Sequence, residues 1–157
     1  MERNEKTVEV LNDLIRINND RIEGYEKAIS EIKEEDVDLR NVFNRMADES
    51  RRYSGELTDQ VRKLGGDPAG STTQSGKIYR VWMDLKAGFT GHGRHSVLES
   101  CEFGEDAAQK AYEKALEKDQ YLPSGIRTLI KNERDSLRSS HDAIKQYRDM
   151  QLNKNKR

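Results

Sequence analysis

Four long segments of the chain carry apolar residues at steps of three and four, and each stripe is interrupted near its middle by a polar residue: Asn18, Ser50, Glu105 and Glu133. The spacing predicts amphipathic helices whose apolar faces meet in a bundle. Burying a carboxylate is costly unless it is paired, hydrogen-bonded or bound to metal. Any fold that accepts these four stripes must therefore find partners for its own polar centre.

The stripes set the architecture. The first segment, about 4–34, carries Val8, Leu11, Ile15, Asn18, Ile22, Tyr25, Ile29 and Ile32. The second, about 37–64, carries Leu39, Phe43, Met46, Ser50, Tyr53, Leu57, Gln60 and Leu64. Between them lies a very short link, with Asp36 as N-cap, so the two helices are expected to be antiparallel neighbours. Gly65-Gly66 is a natural helix stop. The third helix is expected over about 94–119, with Leu98, Cys101, Glu105, Ala108, Tyr112 and Ala115 inward. The fourth, over about 123–151, carries Ile126, Ile130, Glu133, Leu137, Ser140, Ile144 and Tyr147, with Pro123 in its first turn. Period-2 alternation of β-branched and aromatic residues is absent, so no sheet is expected.

The connector, 65–93, is long enough to travel the length of the bundle. It contains a short amphipathic piece, Lys77 to Ala87, with Trp82 as an expected anchor. It would deliver the third helix parallel to the second. Two antiparallel hairpins joined by one long crossover give an all-α four-helix bundle of ferritin-like topology. The 157 residues are read as one domain.

Chain arithmetic places the polar interruptions together. Asn18 lies about 17 residues before the first turn and Ser50 about 15 after it, while Glu105 lies about 16 before the second and Glu133 about 12 after, all about 18–26 Å from the turns. One mid-bundle layer would hold all four. A di-iron centre in such a bundle takes one Glu from each of two helices and a Glu-x-x-His from each of the other two. Glu49 and Glu133 stand where the Glu of that motif would, but Arg52 and Ser136 occupy the +3 positions. Glu102 and Glu105 offer two carboxylates on the third helix, while Asp20, Glu23 and Glu26 on the first are read as peripheral. Arg52 is expected to pair with Glu105 or Glu133 in place of metal.

Other features point away from known chemistries. Charged residues are 36% of the chain and the net charge is −1, with both signs interleaved as on solvated helix faces. No nucleic-acid partner is expected, since that needs a basic patch. The charged N-terminus and the lack of a long apolar run argue against a signal peptide and a membrane partner, so a cytoplasmic protein is expected. The lone Cys101 excludes an internal disulfide and reads as a core thiol. His92 and His95 sit in a glycine-rich break, and His141 is two turns from Glu133, too far along the axis to share its metal. No phosphate loop, catalytic triad or dinucleotide fingerprint is present.

The runs LNDLIRINNDRIEGYEKA (11–28), GKIYRVWMDLKAG (76–88) and ESCEFGEDAAQKAYEKAL (99–116) resemble a bacterial ferritin-like four-helix-bundle family, number twenty-three eighty-three in the domain-of-unknown-function series. The resemblance implies the ferritin-like fold and a bacterial origin, and brings no established activity. More distant relatives, the rubrerythrins and bacterioferritins, bind di-iron. Their paired Glu-x-x-His motifs are not matched here; Glu49, Glu102, Glu105 and Glu133 carry over as metal ligands.

Three functions follow from these readings. The leading one is a non-enzymatic or vestigial bundle protein, structural or stress-associated, with a polar layer of Asn18, Ser50, Arg52, Glu105 and Glu133. The alternative is a metal-binding oxidoreductase holding iron or manganese on Glu49, Glu102, Glu105 and Glu133. The third is an interaction module presenting Trp82 and Phe89 of the crossover to a protein partner not identified by the sequence. Self-association as a homo-oligomer is open on all three.

Overall fold

The computed structural model describes residues 2–72, 93–117 and 122–155. Among these, all regular structure is helical: α1 (Glu2–Glu31), α2 (Val37–Lys63), α3 (Gly93–Glu117) and α4 (Ser124–Asn155). Most of the crossover, with Trp82, Phe89 and His92, lies outside the described residues.

Local chemistry sets the helix ends. After Lys63 the chain turns through Gly65, whose φ of 79° suits a residue without a Cβ. Gly65 N–H donates to Arg62 O at 2.9 Å and Gly66 N–H to Val61 O at 3.0 Å, a Schellman closure that satisfies the last carbonyls of α2. Gly66 is favoured by packing, because a Cβ there would lie 2.8 Å from Val8 Cγ1. Asp36 holds the N-cap position of α2, but its side chain makes no cap bond. Its Oδ1 instead accepts from Arg94 Nη1 at 3.0 Å. Pro123 stands one residue before α4, and its carbonyl accepts the first helical bond from Arg127 N–H.

Arg94 also fixes the chain path. It opens α3, yet it reaches Asp36 and Asp38 (Nη2–Oδ2 2.6 Å) at the start of α2. The guanidinium hydrogen bond holds the Asp38 carboxyl down at about 2. The first turns of α2 and α3 thus share one end of the bundle, so these helices run parallel. α1 packs between α2 and α3, and α3 packs on α4.

The core falls into two apolar clusters, each drawing on all four helices. One, around Tyr25, Phe43, Met46, Leu98 and Ile144, fills the end where α2 and α3 begin. The other, around Leu11, Leu14, Leu57, Tyr112 and Ile130, fills the opposite end. The polar residues lie between them.

Candidate functional site

Asn18, Ser50, Glu105 and Glu133 are all buried, and a single hydrogen-bonded chain connects them. Arg21 is its hub. This fully buried guanidinium gives Nε to Glu105 Oε1 at 2.7 Å and Nη1 to Ser50 Oγ at 2.8 Å. Nη1 also lies 3.0 Å from Glu49 Oε1 and 3.3 Å from the Met46 carbonyl. Ser50 Oγ in turn donates to Asn18 Oδ1 at 2.9 Å, and Asn18 Nδ2 donates to the Tyr112 hydroxyl at 2.8 Å. Tyr112 donates onward to Glu133 Oε1 at 2.6 Å. The chain reads Glu105, Arg21, Ser50, Asn18, Tyr112, Glu133, and touches every helix.

Burial opposes the charge of Arg21, yet Glu105, Tyr25 and Glu49 more than offset it and its pKa is raised. The guanidinium stays protonated at any physiological pH. Tyr25 adds a hydroxyl donated to Glu105 Oε1 and a ring face 5.4 Å from the Arg21 guanidinium carbon. Burial, then Glu105, pushes the Tyr25 phenol well up; burial, then Glu133, does the same to Tyr112. Both tyrosines are therefore neutral donors.

Glu133 is different. Burial pushes its carboxyl up to about 9, and the neighbouring Glu56 pushes the same way, against the Tyr112 hydrogen bond and the Arg52 charge. Its Oε2 is buried without a hydrogen-bond partner, as is Oε2 of Glu105. At neutral pH Glu133 is a neutral carboxylic acid, whereas Glu105 sits in an ion pair.

Arg21 was not among the residues singled out from sequence. Its signal is a seven-residue column on α1, Thr7, Leu14, Arg21 and Ala28, every member buried. That column flanks the hydropathy stripe and widens the buried face, because α1 packs against two neighbours. Asp20, read as peripheral, is also buried, whereas Glu23 and Glu26 are exposed. Arg52, expected opposite Glu105 or Glu133, has an exposed side chain with its guanidinium 5.2 Å from the Tyr53 ring centre. The cation on Glu105 is Arg21.

The four carboxylates expected as ligands do not converge. Glu49 is satisfied from α4, with Ser136 Oγ on Oε2 at 3.0 Å and Ser140 Oγ on Oε1 at 2.8 Å. Glu102 is not part of that hydrogen-bonded chain and meets Arg148 at 2.5 Å. Among the described residues, three ligand-bearing side chains come within 4.8 Å of one another at one place, and it is outside the layer: Glu102, Asp106 and His141. The central donor set therefore does not fit a pair of irons. Histidines are missing from the +3 positions, and a fixed protein cation bridges Glu49 and Glu105.

Two antiparallel hairpins joined across the bundle, with a polar layer at mid-height, define a ferritin-like four-helix bundle. The chain superimposes on a crystal structure of a ferritin-like, diiron-carboxylate protein from Bacillus anthracis str. Ames with a TM-score of 0.69, covering 96% of this chain and 99% of that one at 16% identity. That likeness is one of fold. Residues 6–118 match the family model described as a domain of unknown function, DUF2383, and the chain belongs to that family. No curated protein matches the sequence. Among the described residues no helix is long and apolar enough to cross a membrane.

Proposed function

We propose that this protein is a ferritin-like bundle without central redox chemistry, a structural or stress-associated cytoplasmic protein in which residues 1–157 form one folding unit. The observation that carries the reading is the Arg21 guanidinium between Glu105 and Glu49. It supplies positive charge where a di-iron bundle would use metal. The charge is permanent, and it is attached to the backbone of α1. A buried ion pair of this kind fixes helix register and rotation, because sliding any helix by one turn would strand a charge in the core.

Elemental analysis of protein purified without chelator tests the proposal. Iron or manganese is expected to be absent from the centre. A stoichiometric amount that is lost in Glu105→Gln, with helicity retained by circular dichroism, would overturn it. Metal retained in Glu105→Gln but lost in His141→Ala belongs to a different place on the molecule and leaves the reading intact.

A further inference from the structure

We infer a peripheral cation site on the α3–α4 face, where Glu102, Asp106 and His141 are placed to bind one divalent transition-metal ion. Glu102 and Asp106 are four residues apart on α3, which stacks their carboxylates on one side of the helix. His141 reaches them from α4. One ligand atom from each residue lies within 4.8 Å of the other two. Nitrogen and oxygen donors sit about 2.0–2.2 Å from such an ion, so donors facing each other across it are about 4.2 Å apart. The three side chains need only small rotations to close on it.

A second observation concerns how the imidazole is held. Nε2 of His141 points at Asp106 Oδ1, 2.6 Å away, while Nδ1 lies 3.3 Å from Asp142 Oδ1. With an ion in place of the proton between Nε2 and Asp106, Nε2 would offer its lone pair to the metal while Nδ1–H donates to Asp142, the usual support of a ligating histidine. Glu102 and His141 are mostly buried at 14% and 19% side-chain exposure, and Asp106 at 54% opens the site to solvent. Arg148 is the local competitor: it binds Glu102 Oε2 and is itself shared with Asp149. One imidazole with two carboxylates, completed by water, suits zinc or manganese, with zinc bound more tightly. The site is separate from the mid-bundle layer: Glu105, on the same helix, is taken up by Arg21 and Tyr25.

Calorimetric titration of the full chain with zinc chloride, in a buffer that does not chelate, tests the inference. One equivalent is expected to bind. His141→Ala and Asp106→Asn should each weaken binding at least tenfold, His95→Ala should leave it unchanged, and Arg148→Met should tighten it several-fold. All four variants should keep the wild-type helical circular dichroism, since the residues are peripheral. No saturable binding at submillimolar zinc would overturn the inference. So would binding that survives His141→Ala or disappears in His95→Ala.

Discussion

At the scale of single residues, Arg21 and Glu105 are worth more to each other than either is to the fold. Removing one partner of a buried ion pair leaves an uncompensated charge, which costs about 3–5 kcal/mol. Arg21→Met is therefore expected to lower unfolding free energy in urea by about that amount. The double change Arg21→Met with Glu105→Gln keeps an acceptor for Tyr25 and removes both charges, and should recover most of the loss. If the single and double variants were equally destabilised, the ion pair would not be the coupling. Glu133 makes a pH prediction. Its folded pKa of about 9 stands above the ordinary value of 4.5, so the folded state holds one more proton than the unfolded between those limits. Its unfavourable contribution is absent below pH 4.5, grows as pH rises, and is complete above about 9. Glu133→Gln keeps an acceptor for Tyr112 and cannot ionise. It should raise stability by about 4–5 kcal/mol at pH 8 and by less than about 1 kcal/mol at pH 4.5, read from melting temperatures across that range. Glu105 and Glu133 were both legible from sequence as breaks in an apolar stripe. That one is ion-paired and the other protonated was not, because the difference lies in what the neighbouring helices bring.

At the scale of elements, the exit from α2 is the most constrained junction. Gly65→Ala places a Cβ on a backbone at positive φ and should cost about 1 kcal/mol. Gly66→Ala drives a Cβ against both methyls of Val8, at 2.8 and 2.9 Å, and should cost about 1–3 kcal/mol through overpacking of α1 against the turn. Thermal unfolding checks both, and a neutral Gly66→Ala would show that α1 yields at Val8. The glycine pair was readable as a stop from sequence alone. Its second role was not, since nothing in Gly66 announces that Val8, far earlier in the chain, will lie over it. The opposite case is Asp36. Its position at the start of α2 followed from residue type, but its carboxylate is used between helices, on Arg94, instead of on its own helix end.

At the scale of the whole molecule, a polar layer separates two apolar clusters, an arrangement that on its own would allow two independent cores. The helices run unbroken through both, and the chain from Glu105 to Glu133 ties all four together at the boundary. A single cooperative transition is therefore expected, with far-ultraviolet and tyrosine near-ultraviolet circular dichroism melting at one temperature. Two separated transitions would mean that the layer divides the fold. The bundle class was evident from the four stripes, and the parallel start of α2 and α3 from the length of the crossover. The Arg94 bridge to Asp36 and Asp38 ties those two first turns together.

Sequence by itself determined the number of long helices, their pairing into hairpins and the level at which polar groups would gather. These follow from periodicity and chain length, which are local or additive quantities. Only the tertiary structure decided what the polar groups do. Arg21 is charged and hydrophilic, and hydropathy places it outside; the packing of α1 between α2 and α3 places it inside, where Glu49, Ser50, Tyr25 and Glu105 together offset its desolvation. Glu102 stands one turn from Glu105 on the same helix, yet its partners are Arg148 and the cluster with His141. Which carboxylate meets a cation, a proton or a histidine depends on helix rotation, and that is set by contacts between residues far apart in the chain.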